Sequence, residues 1–260
     1  MRALAVDTDV IVFVSRVWQT TCTALRVGDE GFLIDSPVYP DELEALPAVL
    51  EQARFPVSGL LATHADWDHL LARLVFPEAS LGCGEATGRR LAAEPGAAQR
   101  SLRAFDEEHY VEGRRPLALA GVQSLPVPGH LALGPEHELE LHPASGHTAD
   151  GTVFWIPWTR VLVCGDYLSP VEIPMLSPGG SLEAYLDTLE RLRPLVAAAG
   201  TVVPGHGAPQ PSAEATRVLD EDLAYLQALN AQGDAPLPAG RKSPAQRKIH
   251  AENADRVGSA

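Results

Sequence analysis

"LLATHADWDHLL", residues 60–71, constrains this chain more than any other stretch. His64, Asp66, Asp68 and His69 crowd together directly after an apolar run. Carboxylates held that close repel one another unless positive charge sits between them. The preceding "VSGLLAT" reads as a buried strand, so the crowded residues are delivered on a loop at the end of a rigid support.

Three other segments share this design. "SGHTADG", "LVCGDYL" and "VVPGHGAP" place His147, Asp166 and His206 at the C-terminal edge of a predicted strand, beside glycine. Any one of them alone reads as a turn or a cap. Four such segments in one chain point to side chains converging on a shared face, and neutral imidazoles with carboxylates are the donor set for zinc or similar divalent ions.

The rest of the pattern supplies the scaffold. "DVIVFVSRV", "TCTALRVG" and "GFLIDS" read as strands bounded by Gly, Asp and Pro, and a helix is expected over Asp41 to Ala53, begun or interrupted by Pro47. A short strand near "ASLGC" and helices at about 85 to 93 and 97 to 110 follow. The second half repeats the logic with strands "HELELHPA", "GTVFWIP", "RVLVCGD" and "TVVPGHG". "SLEAYLDTLERLRPLVAAAG" predicts a helix with Ser181 as N-cap, an apolar face of Leu182, Tyr185, Leu186, Leu189 and Leu192, and Gly200 as its stop. A second helix carries Leu219, Leu223, Leu226 and Leu229 on one face, and from about Gly233 a polar, Pro-rich tail ends in a final helix.

Composition excludes several classes. With 260 residues, 45% of them hydrophobic, the chain can bury a substantial core, and no stretch reaches the roughly 18 apolar residues of a membrane span. The N-terminal stretch, with Asp7 and Asp9, makes a poor signal peptide, so a soluble cytoplasmic protein is expected. A formal net charge of −14 argues against nucleic acid as a partner and leaves a small molecule as the expected substrate; a homodimer is one option for the assembly. Cys22, Cys83 and Cys164 are too few and too scattered for a disulfide framework and read as buried apolar residues.

The order THxxxDH, GHT, GD and PGHG resembles the metallo-β-lactamase superfamily of binuclear metallohydrolases, over almost the whole chain from "FLIDS" to "PGHG". The resemblance implies a four-layer αββα sandwich, a single domain over 1–260 with a helical tail from about 233, and a metal site along one edge. It puts His64, Asp66 and His147 on one metal and Asp68, His69 and His206 on the second, with Asp166 bridging. Two divalent ions are implied, zinc first, with iron or manganese as alternatives. A metal-bridging hydroxide would attack a small ester or thioester, as in glyoxalase II-like members, with Asp68 as the catalytic group that orients the nucleophile and shuttles its proton. Rival readings are a non-haem iron oxidoreductase of the persulfide dioxygenase type and a metal-binding module without catalysis.

One position departs from the family pattern HxHxDH: the chain reads "HADWDH", with Asp66 where the second histidine stands. Two divalent ions against three carboxylates leave about +1, against about +2 for the usual two, which weakens the Lewis acid and favours harder ions. An acid there is similar to the flavodiiron branch, but that branch carries a flavin domain for which 260 residues leave no room.

Three further expectations concern the surroundings. Trp67 either walls the pocket or anchors its loop, Tyr167 packs or donates to substrate, and Thr148 caps a turn or holds a ligand in place. The loop "SPVYP" after Asp35 is expected to contact substrate, whereas His109, His130, His137, His142 and His250 lie outside every ligand motif.

Overall fold

β-branched and apolar runs in the first 35 residues fold as an antiparallel meander of β1 (Arg2–Asp7), β2 (Val10–Val14), β3 (Thr21–Val27) and β4 (Glu30–Asp35) in a computed structural model that describes residues 1–258. Helix α1 (Pro40–Gln52) then carries the chain across to β5 (Gly59–Ala62), which lies parallel to β4. Next come β6 (Ser80–Gly84), α2 (Glu85–Ala93), α3 (Ala97–Glu108) and β7 (Gln123–Leu125). These strands form one sheet in the order β1-β2-β3-β4-β5-β6-β7.

A second sheet, ordered β13-β12-β11-β10-β9-β8, uses the rest of the chain. Its strands are β8 (Gly129–Leu133), β9 (His137–Pro143), β10 (Thr152–Ile156), β11 (Val161–Val163), β12 (Thr201–Val203) and β13 (Gln210–Pro211). Helix α4 (Leu182–Ala198) makes the crossover between parallel β11 and β12, and α5 (Ser212–Gln232) and α6 (Pro244–Gly258) follow.

The packing makes four layers. Val10, Val12, Leu25 and Ile34 of the first sheet meet Leu139, Leu141, Phe154 and Val163 of the second in a central apolar layer. A second cluster joins the first sheet to Leu43, Leu46 and Leu50 of α1 and Leu102 and Phe105 of α3. A third joins the second sheet to Leu189 of α4 and Leu219, Leu226 and Leu229 of α5. Each large side chain buried in this way stabilises the fold by about 1.5–3 kcal/mol. The αββα sandwich expected from the sequence is the observed fold.

Local signals and structure agree in most places. Ser181 caps α4, its hydroxyl accepting from the Ala184 amide at 3.3 Å, and the expected apolar stripes of α4 and α5 face the core. Gly200 is not the left-handed stop that was expected. The helix ends at an extended Ala199, and the Gly200 amide donates to the Arg160 carbonyl at 2.8 Å as the chain enters β12. Pro47 lies inside α1, which begins at Pro40. The sequence reading missed β1, β7, β8 and β13, which are short or sit at sheet edges where partner strands, rather than their own pattern, hold them. Cys22, Cys83 and Cys164 are free and buried, as expected. Among the described residues no helix is long and apolar enough to cross a membrane.

Candidate metal centre

Four strand ends open onto one edge of the sandwich. His64 follows β5, with Asp66, Asp68 and His69 in the loop and short 3-10 turn (Trp67–His69) behind it; His147 follows β9, Asp166 follows β11 and His206 follows β12. Bonds between the sheets fix these loops against one another. The Thr152 amide donates to the Thr63 carbonyl at 2.8 Å, and the Thr21 amide donates to the Gly205 carbonyl at 2.8 Å. Two glycines let the loops approach. Gly165 has φ +56°, and a side chain at Gly205 would run into the Asp166 carboxylate.

All seven side chains meet. The ligating atoms of His64, Asp66 and His147 lie within 4.8 Å of one another, as do those of Asp68, His69 and His206, and those of His64, His69 and Asp166. Asp166 stands between the two halves. Its Oδ2 faces His147 Nε2 at 3.2 Å and its Oδ1 faces His69 Nε2 at 3.1 Å and His206 Nε2 at 3.3 Å.

The cluster carries a deficit that a cation would fill. The Nε2 atoms of His64, His69 and His147 and the Oδ1 of Asp166 are buried without a hydrogen-bond partner. Each such atom costs about 1–3 kcal/mol when left unsatisfied, so their convergence from separate loops fits a bound cation far better than a dry protein interior. The other ring nitrogens are all engaged. His69 Nδ1 donates to Asp35 Oδ2 at 3.0 Å, His147 Nδ1 donates to the Met175 carbonyl at 2.9 Å, and His206 Nδ1 faces the Trp18 carbonyl at 3.3 Å. His64 Nδ1 lies 3.0 Å from Thr63 Oγ1, which itself donates to Asp35 Oδ2 at 2.9 Å. Carbonyl and carboxylate acceptors at Nδ1 fix the proton there and turn the Nε2 lone pair inward.

Electrostatics shows the same tension. Burial pulls His147 and His206 down, but Asp166 and Asp66 around the first, and Glu172, Asp166 and Asp68 around the second, push both up to about 10. His69 is raised well above the usual range, burial being outweighed by Asp68, Asp166 and Asp35. Asp166 is held well below the carboxylate range, because four surrounding imidazoles overcome its burial. The three raised imidazoles hold protons for want of other positive charge.

The comparisons with known proteins agree with this geometry. The family model described as the metallo-beta-lactamase superfamily matches residues 15–206. The chain belongs to that superfamily. Among solved structures, a metallo-beta-lactamase family protein from Thermus thermophilus shares the fold with TM-score 0.67 at 21% identity, covering 90% of this chain and 86% of its own. A metallo-beta-lactamase from Pontibacter korlensis aligns with TM-score 0.64 at 19% identity, covering 87% of this chain and 98% of its own. Superfamily membership implies metal-dependent, hydrolase-type chemistry, and the cluster is compatible with a divalent metal site.

Within this superfamily fold, contacts decide between the alternatives for Trp67 and Tyr167 and give Thr148 and the "SPVYP" loop other surroundings than expected. Trp67 packs on Trp18 and Phe105, with ring centroids 5.8 and 4.9 Å away, so it anchors its loop. Tyr167 is buried; its hydroxyl donates to the Ala144 carbonyl at 2.9 Å and accepts from the His147 amide at 3.0 Å, which holds the His147 loop and leaves nothing for substrate. The Thr148 hydroxyl is buried without a partner and holds no neighbour in place. The "SPVYP" loop works from behind: Ser36 Oγ donates to the Asp68 carbonyl at 2.8 Å and accepts from the Leu71 amide at 2.9 Å. Asp35, Arg90 and Asp150 went unremarked in the sequence. The signal available for Asp35 was its place as a lone carboxylate closing the apolar run "GFLID".

A cavity of about 350 Å³ opens over the cluster, with Asp66, Asp68, His147, Asp166 and His206 in its floor. Trp18, Glu172 and Ile173 form part of its wall, and Lys248, Ile249 and Glu252 of α6 contribute the rest. Helix α6 is fastened to that wall. Gln246 Oε1 accepts from the Ile173 amide at 2.7 Å, Asn253 Oδ1 accepts from the Leu176 amide at 2.8 Å, and Asn253 Nδ2 donates to the Pro174 carbonyl at 2.7 Å. The remaining histidines stay outside: His109 stacks on Phe105, His142 pairs with Glu140, and His250 pairs with Asp234.

Proposed function

We propose that this protein is a hydrolase with two divalent ions, acting on a small ester or thioester. The observation that carries the reading is the convergence of unpartnered, buried side-chain atoms of His64, His69, His147 and Asp166, the last two of which line a cavity of about 350 Å³. His64, Asp66 and His147 would hold one ion and Asp68, His69 and His206 the other, with Asp166 shared. When bound, such a pair supplies Lewis acidity toward the scissile group and makes water a competent nucleophile near neutral pH. Zinc suits the imidazole-rich donor set, and iron or manganese suits its carboxylates.

The chain's own residues do the remaining work. Asp68 has its Oδ2 directed into the cluster, 3.6 Å from His69 Nε2 and 3.7 Å from His206 Nε2, and it borders the cavity. In this position it orients the attacking water and accepts its proton. Ile173 and Ile249 exclude solvent from one side of the substrate, while Lys248 and Glu252 give the mouth of the cavity its charge. A cavity of this volume suits a small molecule, and the acidic balance of the chain supports the same reading.

The test is turnover. Protein holding two ions per chain is offered thioesters, esters, lactones, lactams and phosphodiesters, and thioester or ester cleavage abolished by Asp68→Asn is the expected result. Stoichiometric metal with no turnover on any member of the panel would refute the hydrolase reading. Oxygen uptake with a thiol or persulfide by an iron-loaded sample would replace it with the oxidoreductase.

A further inference from the structure

Asp66 has two oxygens with different neighbours. Its Oδ2 faces His64 Nε2 and His147 Nε2, both at 3.6 Å. Its Oδ1 accepts from Arg90 Nη2 at 2.7 Å. Arg90 stands on α2 and is itself held, its Nη1 donating to Asp150 Oδ1 at 2.8 Å. Asp150, only 3% exposed, is fixed in turn: its Oδ2 accepts from the Ala65 amide at 2.9 Å and its carbonyl accepts from Thr87 Oγ1 at 2.7 Å. One guanidinium therefore ties the Asp66 loop to the His147 loop through two separate nitrogens, a task suited to the planar fork of arginine.

We propose that Arg90 makes Asp66 behave as a one-oxygen ligand and so biases that half of the centre toward zinc over manganese. The inference rests on the metal-centre reading above. With Oδ1 engaged by Arg90 and Oδ2 facing the two imidazoles, Asp66 is set to meet a cation through Oδ2, and two-oxygen binding to one ion is disfavoured. Manganese favours many oxygen donors, whereas zinc is content with four nitrogen and oxygen ligands, so blocking the second oxygen penalises manganese more. The bias rests on geometry alone, because the guanidinium is itself balanced by Asp150 and the local charge sum stays at about +1. Arg90 is a positioning residue, acting on the metal through Asp66.

The experiment measures the ratio of manganese to zinc dissociation constants, by competition against chelator-buffered metal, in the full-length protein. Arg90→Met removes the charge and keeps the buried stem; the expected result is a ratio narrowed by about tenfold or more, the lower end of what outer hydrogen-bond partners contribute. Arg90→Leu, also without a donor, is expected to narrow it equally and serves if Arg90→Met does not fold. With Asp66→His as the parent, adding Arg90→Met is expected to leave the ratio unchanged. A ratio identical to wild type in folded Arg90→Met or Arg90→Leu overturns the proposal. Equal narrowing in the Asp66→His parent also overturns it, since Arg90 would then be a structural tie only. Wild-type protein that binds neither metal refutes the metal-centre reading itself, and this inference falls with it.

Discussion

Asp35 Oδ2 lies 3.0 Å from His69 Nδ1, while the same carboxylate accepts from the Thr63 amide at 2.8 Å and from the Thr63 hydroxyl that faces His64. One buried residue, at the end of β4 with φ +62°, thereby orients an imidazole in each half of the cluster.

Replacing that carboxylate separates orientation from fold. Asparagine tolerates positive φ, so Asp35→Asn keeps the backbone conformation while giving His69 a poorer acceptor. The expected outcome is a loss of about 10–100-fold in metal affinity with the far-ultraviolet circular dichroism of the wild type. Wild-type affinity in a titration against chelator would show that Asp35 does not orient the imidazoles.

The pH dependence of the metal-free protein follows from His147 and His206, both raised to about 10. A histidine raised on folding adds stability that is fully present below its unfolded value of about 6.5 and is lost as pH climbs through its folded value. The urea midpoint of chelator-treated protein is therefore expected to fall between about pH 6.5 and about pH 10. Metal affinity is expected to move in the opposite direction over the same interval, because binding requires neutral imidazoles. A midpoint independent of pH across that window would contradict the proton-loaded cluster.

Gly205 tests the close approach of β12 to β11. A Cβ there would collide with the Asp166 carboxylate and the Gly165 backbone. Gly205→Ala is expected to displace Asp166, reduce bound metal below two ions per chain, and destabilise the fold by about 1–3 kcal/mol. Full metal content by elemental analysis would show that Asp166 has room to shift.

Helix α6 reaches the centre through the cavity wall. Asn253 is fully buried and serves the Leu176 amide and the Pro174 carbonyl on either side of Met175, whose own carbonyl accepts from His147. Asn253→Ala leaves both backbone groups unsatisfied, at about 1–3 kcal/mol each. Calorimetry is expected to show a lower melting temperature, and metal affinity is expected to fall with it as His147 loses its support. A lower melting temperature with unchanged affinity would limit Asn253 to stability.

Much of this was legible in the chain. Continuous apolar runs such as "GLLA" and "TVFWI" mark strands buried on both faces, and the His and Asp residues that follow such runs are the ones that converge. What escaped notice depends on contacts distant in sequence. Asp150 is 60 residues from Arg90, and Arg90 is 24 from Asp66, so nothing local distinguishes that guanidinium from a solvated helix charge. Packing was the favoured role for Tyr167 over facing a substrate, and the approach of the Ala144 carbonyl and the His147 amide bears it out. Gly200 marks the end of α4 but without a left-handed turn, because β12 begins at once and the Gly200 amide donates to the Arg160 carbonyl.

The matched superfamily region ends at residue 206, and the outer wall of the cavity is completed by Lys248, Ile249 and Glu252 beyond it. Part of the pocket wall therefore lies on a helix that follows the matched region, and substitutions at Lys248 and Glu252 would reshape that wall without altering any of the seven clustered side chains.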